Sequence, residues 1–516
     1  MGCHPETLLN VIRTQSREDM SQRAIMRLAT QFAVEKTSIE EPNWEYVAAW
    51  LLLSNIYQEA AYYRGLKGSP YTDFHALLER LADIGRYGTY LRKRYTKEGI
   101  DELERYIKPE RDLLFNYVGL KQLMDRYVIR GENAEVLELP QELFMGVAMH
   151  LAMNEVDKVE RAKQFYDVLS KLKATVATPT LSNARKPFHQ LSSCFIDMPE
   201  DDLISIYETD KAFARVSKFG GGMGIYGKIR ARGSAIRNHK GASGGVIPWV
   251  RNYNNTAESC NQLGVRSGAV AIYLGVWHKD IQDFLQLKTN NGDERLKAHD
   301  IFPDVCVPDE FMRRVESRRS WYLFCPYEVE KAMGFRLEDA WGKEFERRYQ
   351  ACVENTELEL IEIPAIDIMK RILQYTFETG TPFVFFRDTA NRTNPNTHAG
   401  MIYCSNLCTE IMQNMKPMQM VEETDEDGNI VVRYKPGEFV VCNLSSLNLG
   451  RCKSREDMER IVGTQIRVMD NVIDLNYYPV KQAEITNQKY RAIGLGISGY
   501  HQYLAQNKVL WSLRTI

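Results

Sequence analysis

Near Thr175 the apolar residues change their spacing, and that change constrains the fold more than any other feature of the chain. Ahead of it they recur every three or four positions through Ala24 to Phe32, Tyr46 to Tyr63 and Phe74 to Leu91, the period of helices with one buried face. Thr72-Asp73 ahead of Phe74 supplies a candidate helix cap. Beyond Thr175, short apolar runs (Gly224 to Ile229, Ala269 to Leu274, Pro382 to Phe386, Phe439 to Leu444) alternate with helical stretches such as Asp202 to Val216 and Ala365 to Thr379. Alternation of that kind argues for α/β architecture. The chain reads as an all-helical domain over residues 1–174 followed by an α/β domain over 175–516. Within the second, Val421 to Glu438 carries Asp427-Gly428 between apolar residues, which predicts a hairpin in an acidic surface excursion.

A chain of 516 residues has room for two to four units at roughly 150 residues each. Its formal net charge of -2 provides no broad attraction to nucleic acid or an acidic membrane, so any phosphate ligand must be held by a local pocket. The run Val47 to Leu53 is far too short to span a bilayer, and no signal peptide or myristoylation signal is expected at the amino terminus. The expected setting is cytoplasmic. There, ten cysteines should be reduced thiols, and Cys3, Cys260, Cys306, Cys325, Cys352 and Cys452 read as structural packing. Cys404 and Cys408 stand at C-x3-C spacing with no second Cys or His pair nearby, so no metal site is expected.

One constellation points to chemistry. If Asn406-Leu407-Cys408-Thr409-Glu410 is extended, residues two apart share a side, and Asn406, Cys408 and Glu410 face one space. Two more cysteines, Cys194 and Cys442, sit in apolar, strand-like runs. If those runs flank the first segment, one thiol can start a reaction and two can supply electrons. A carboxylate beside Cys408 disfavours its thiolate, and no His is adjacent, which argues against a cysteine hydrolase. Gly222-Met223-Gly224-Ile225-Tyr226-Gly227 matches a dinucleotide fingerprint in letters only. The stretch after it, Lys228 to Gly233, reads as strand and basic loop, with no acidic residue before Glu258, so a glycine-packed strand is the better reading. Around it, Lys218, Arg230 and Arg237 can hold a triphosphate, with Asp202 accepting a hydrogen bond from base or sugar; a solvated charged face is the alternative.

Ser405–Ile411, Gln190–Phe195, Val441–Leu444, Asn252–Ala257, Gly268–Leu274, Glu378–Pro382 and Tyr490–Tyr500 carry a resemblance. From about Thr178 onward they stand in the order found in the large, catalytic subunit of class I ribonucleotide reductase, which this chain resembles. The resemblance implies a ten-stranded α/β barrel after the helical domain, with Cys408 buried on a loop threaded into it. It implies radical chemistry: a Cys408 thiyl takes the ribose 3′ hydrogen, Glu410 accepts the 3′-hydroxyl proton and Asn406 holds the sugar. Cys194 and Cys442 then deliver electrons and become a disulfide. Thr178, Ser193 and Gly222 match substrate-contacting positions.

The same resemblance makes Asp202, Lys218, Arg230 and Arg237 the site for dNTP or ATP effectors at a homodimer interface, with Asn261 to Gly268 relaying effector identity. It implies a ribonucleoside diphosphate substrate, no cofactor bound directly, a metal-containing radical-generating small subunit and a thioredoxin- or glutaredoxin-type reductant. No nucleic acid or membrane partner is expected. Two departures are read from the sequence. There is no room for an amino-terminal ATP-binding regulatory domain, and the barrel is expected to be partial, its later strands and tail thiols lacking. Activity is therefore expected only with a complementing carboxy-terminal fragment. A nucleotide-binding fragment without chemistry and a cobalamin-dependent relative are the alternatives.

Overall fold

A computed structural model describes residues 5–17, 19–66, 70–261 and 267–511, so Cys3, most of the Asn261–Gly268 segment and the end of the tail lie outside the described residues. The chain forms two compact units. One comprises residues 1–191, 444–477 and 495–516; the other comprises 192–443 and 478–494.

The first unit is mostly helical. The helices Gln22–Lys36 and Trp44–Arg64 appear where the three-to-four spacing predicts them. The stretch from Phe74 to Leu91 is not one helix: Phe74–Asp83 ends at a left-handed Gly85, and Tyr90–Arg94 begins anew. Asp73 precedes Phe74 as expected but caps nothing with its side chain. Its carboxylate is taken by Arg64, whose guanidinium also binds the buried Glu142 at 2.7 Å. Glu142 lies on Pro140–Ala152, a helix buried along its whole length. Such a helix has no polar face to spare, so its one carboxylate must be paired. Strands Ala174–Val176 and Leu444–Asn448 pair antiparallel in this unit.

The second unit is built on a six-stranded sheet in the order Val440–Val441, Cys194–Asp197, Gly222–Tyr226, Val270–Gly275, Ile301–Val307, Phe383–Phe386. The last five run parallel to one another; the first is antiparallel to its neighbour. Cys194–Asp197, Gly222–Tyr226 and Val270–Gly275 are buried at every residue, which is why they read as continuous apolar runs rather than alternating ones. Helices Leu203–Lys218 and Val246–Ser259 make crossovers of the kind parallel strands require. Phe195, Ile225, Ile272, Val305, Trp277 and Phe345 belong to one continuous core. The fold is thus a helical region and a partial α/β barrel that, among the described residues, stays open at Phe383–Phe386. The expected hairpin is present as Gln419–Thr424 against Ile430–Lys435, with Gly428 in the left-handed region at φ +84°. None of the described helices is long and apolar enough to cross a membrane.

Candidate active site

The glycine-rich strand is a bed for the Cys408 segment. A Cβ on Gly224 would sit 2.1 Å from the Ser405 carbonyl oxygen and 3.1 Å from Asn406 Cα; one on Gly222 would sit 2.8 Å from a Leu407 methyl. Only glycine lets a second backbone lie this close to a sheet. The letters that mimic a nucleotide fingerprint therefore serve chain-on-chain packing.

The segment itself is a turn and not an extended strand, which corrects the sequence expectation. Thr409 N–H donates to the Asn406 carbonyl (3.3 Å), and the Asn406 Oδ1 accepts from the backbone N–H groups of Glu410 and Ile411, both at 3.0 Å. A short amide that satisfies backbone donors two or more residues on is the usual stabiliser of such a turn. Asn406 is fully buried, and its side chain is among those that pull the Cys194 thiol down. Thr409 lies at φ +64°, unusual for a β-branched residue. Its hydroxyl donates to Asp304 Oδ2 (3.1 Å) and lies 3.2 Å from the Tyr273 hydroxyl, while Tyr273 donates to the Asn406 carbonyl.

Cys408 is exposed, contrary to the burial expected for it, as is Glu410. The reason is the open sheet. Cys408 and Thr409 line an apolar cleft of about 490 Å³ with Met369, Leu373, Phe383 and Phe386, beside the unpaired edge of Phe383–Phe386.

Cys194 and Cys442 are brought together by strand pairing. Val441 lies opposite Phe195 in the antiparallel ladder, and one residue further Cys442 N–H donates to the Cys194 carbonyl (3.0 Å). Partners in such a ladder have Cα atoms roughly 4.5–5.5 Å apart, inside the range a disulfide needs. Both are free thiols. Hydrogen bonds from Cys408 and then Cys442 pull the Cys194 thiol well below the ordinary range, whereas burial and the Cys194 sulfur push Cys442 well above it. Glu410 adds its charge to those raising Cys442. Ser193 precedes Cys194, and its carbonyl accepts from Gly222 N–H (2.8 Å). Thr178 opens the helix Thr178–Asn183 in the first unit, exposed, with its hydroxyl 3.4 Å from Tyr127 Oη.

The cationic cluster is more dispersed than its sequence spacing implies. Asp202 caps the helix Leu203–Lys218 by accepting from Ser205 N–H (2.9 Å). Lys218 ends that same helix, roughly 24 Å away at 1.5 Å per residue. Arg230 has a cationic role inside the fold: its Nε pairs with Asp201 (2.9 Å), its Nη1 donates to the Ala235 carbonyl (2.6 Å), and its guanidinium stacks on Tyr327. Arg237 is exposed in a left-handed turn. Sequence reading missed Asp304, Tyr273 and Thr409. The available signal was Asp304 itself, a lone carboxylate inside the apolar run Ile301 to Val307.

The profile described as "Ribonucleotide reductase, barrel domain" matches residues 192–514, and that described as "Ribonucleotide reductase, all-alpha domain" matches 113–189. The chain belongs to the ribonucleotide reductase family. It is 49% identical over 521 residues to the ribonucleoside-diphosphate reductase subunit alpha of Treponema pallidum, covering 98% of this chain and 61% of that protein. It is 40% identical to the subunit alpha of Helicobacter pylori strain 26695, covering 97% and 66% of the two chains. It is also 39% identical to the vaccinia virus ribonucleoside-diphosphate reductase large subunit, over 77% and 49%. The chain spans about three fifths to two thirds of the length of these two bacterial relatives.

Proposed function

We propose that this chain carries the reaction centre for radical reduction of ribonucleoside diphosphates to 2′-deoxyribonucleotides. The carrying observation is the convergence of three thiols: Cys442 opposite Cys194 in a buried ladder, and Cys408 on a turn whose preceding residues lie against Gly222 and Gly224 on the strand next to Cys194, where its thiol lowers that of Cys194. A Cys408 thiyl abstracts the 3′ hydrogen; Glu410, two residues on and exposed beside it, takes the 3′-hydroxyl proton; the buried side-chain amide of Asn406 donates to the sugar. Loss of the 2′ oxygen as water needs two electrons, and oxidation of Cys194 and Cys442 to a disulfide supplies them. Ser193 and Gly222, adjoining Cys194 across the sheet, would add substrate contacts.

The same reading names the partners. A metal-containing small subunit supplies the radical, and a thioredoxin- or glutaredoxin-type dithiol regenerates the pair. The open edge at Phe383–Phe386, with Phe386 and Leu373 each half exposed, favours a complementing polypeptide that pairs there and encloses Cys408. dNTP or ATP effectors would bind near Asp202, Lys218, Arg230 and Arg237. Because Asp202 and Lys218 lie at opposite ends of one helix, a single site containing both is built only if a second copy contributes one of them, which favours a homodimeric site. The nine described cysteines are free thiols.

The test is Cys194→Ser and, separately, Cys442→Ser in the assembled reductase supplied with dithiothreitol. Each should bind ribonucleotide and effector as the parent does yet fail to turn over. Sustained turnover by either variant would remove the reductant role.

A further inference from the structure

Thr409 stands between the two groups that the proposed reaction uses most, and its backbone is in the left-handed region where a β-branched residue is out of place. Such a conformation persists only where its surroundings over-determine it. Here they do so through one hydroxyl. Thr409 Oγ1 is held between the Asp304 carboxyl (3.1 Å) and the Tyr273 hydroxyl (3.2 Å), two residues paired in register on adjacent strands. Tyr273 in turn donates to the Asn406 carbonyl, the start of the turn, and packs edge-on against Phe385. Asp304 and Tyr273 are both fully buried, and Asp304 Oδ1 has no partner at all.

We propose that Asp304, Tyr273 and Thr409 form a clamp of positioning residues that holds the left-handed backbone at Thr409 and thereby sets the directions of the Cys408 thiol and the Glu410 carboxylate. The clamp as geometry stands independently; its consequence for turnover rests on the function proposed above.

Hydrogen counting shows which state of the clamp is complete. Tyr273 spends its one hydroxyl hydrogen on the Asn406 carbonyl. With Asp304 ionised, Thr409 gives its hydrogen to the carboxylate, and no hydrogen lies between Thr409 and Tyr273. With Asp304 protonated, the acid can donate to Thr409, Thr409 to Tyr273 and Tyr273 to Asn406, an unbroken chain from strand to turn. Burial pushes the Asp304 carboxyl up to about 8. The other titratable groups that face it, Tyr273 on the neighbouring strand, Cys306 on its own strand and Cys404 on the segment above, are all raised by burial and stay neutral through that range. The Thr409 and Tyr273 hydrogen bonds favour the carboxylate but burial outweighs them, so ionisation draws water to Asp304 and loosens the clamp as pH rises through about 8.

The experiment has two arms. In the first, amide hydrogen exchange at Glu410 and Ile411, whose N–H groups are held by Asn406, is monitored in the full chain. Thr409→Val, which keeps shape and removes the hydroxyl, should speed exchange by about tenfold or more; Thr409→Ser should return it to within about threefold of the parent. In the parent, exchange corrected for its intrinsic pH dependence should rise between pH 7 and 9. Asp304→Asn, which keeps a neutral donor, should abolish that step. In the second arm, kcat for ribonucleotide reduction by the assembled enzyme should fall about tenfold or more in Thr409→Val, with KM within about twofold. Unchanged exchange in Thr409→Val, or a pH step that survives Asp304→Asn, overturns the clamp. Exchange that responds as stated while the parent enzyme reduces no ribonucleotide upholds the clamp and overturns the functional reading instead. If Thr409→Val does not fold, the Asp304→Asn pH step decides alone.

Discussion

The site is assembled from two regions fixed by different means. Cys194 and Cys442 are placed by backbone: they face each other because the ladder Val440–Val441 against Cys194–Asp197 puts them there, and neither needs its side chain to hold position. Asn406, Cys408 and Glu410 are placed by side chains. Their turn is held by the Asn406 amide, by the hydroxyls of Thr409 and Tyr273, and by the absence of side chains on Gly222 and Gly224 below. For the proposed reaction, a pair that closes into a disulfide and reopens would be well served by a rigid ladder. A thiol that would meet a substrate and a radical source is instead on an exposed turn, adjustable by single substitutions.

That contrast can be broken most severely from beneath. Gly224→Ala places a methyl 2.1 Å from a backbone oxygen that cannot rotate away, so either the turn lifts or the strand shifts. A loss of about 3 kcal/mol is expected in denaturant titration, at the upper end for overpacking, with Cys194 and Cys442 still able to form a disulfide under mild oxidation. If the disulfide were lost as readily as the turn, the two regions would not be independently fixed. Next in size is Asn406→Ala, which strips the acceptor from two backbone N–H groups. It should cost about 1–2 kcal/mol and release the amides of Glu410 and Ile411 to exchange, leaving Cys442 N–H protected. Gly222→Ala is a milder version of the first change. Its methyl meets the end of Leu407, a side chain that can move, and about 1 kcal/mol is expected.

A change of pH probes the same turn without any substitution. Asp304 has its folded value raised from 3.8 to about 8 by burial, so the folded state holds the proton more tightly than the unfolded chain. Its contribution to stability is fully present below about 3.8 and is lost as pH rises through about 8. Denaturation midpoints measured from pH 6 to 9 should fall, and Asp304→Asn should flatten that part of the decline. A midpoint that rises over this range in the parent, with no difference in the variant, would show that Asp304 is ionised in the fold.

The two regions also differ in how legible they were. The strand Cys194–Asp197 and the strand Val440–Val441 that leads into Cys442 are apolar runs bounded by turn residues, and both fall where the sequence places strand-like runs. Helices Leu203–Lys218 and Ala365–Thr379 and the hairpin at Asp427-Gly428 can be read from local periodicity and turn chemistry in the same way. The turn could not. Alternation from Asn406 to Glu410 fits a strand in letters, and the turn is made by the side chain of Asn406 and by two residues more than a hundred positions upstream, Tyr273 and Asp304. Arg230 shows the same limit. Its ion pair with Asp201 is a tertiary contact, and composition alone cannot distinguish a guanidinium already partnered from one awaiting phosphate. The return of residues 444–477 to the first unit is likewise a matter of topology that periodicity cannot express.

The central claim is that the exposed Cys408 thiol starts the chemistry and the buried pair finishes it. The most direct measurement is ribonucleoside diphosphate turnover by the assembled enzyme, with its radical-generating subunit, effector and dithiothreitol, comparing the parent with Cys408→Ser. A serine hydroxyl cannot form the abstracting radical but leaves the turn and the pocket unaltered. The account predicts no deoxyribonucleotide from the variant, with nucleotide binding and closure of Cys194 to Cys442 by added oxidant both retained. Turnover by Cys408→Ser approaching that of the parent would contradict it.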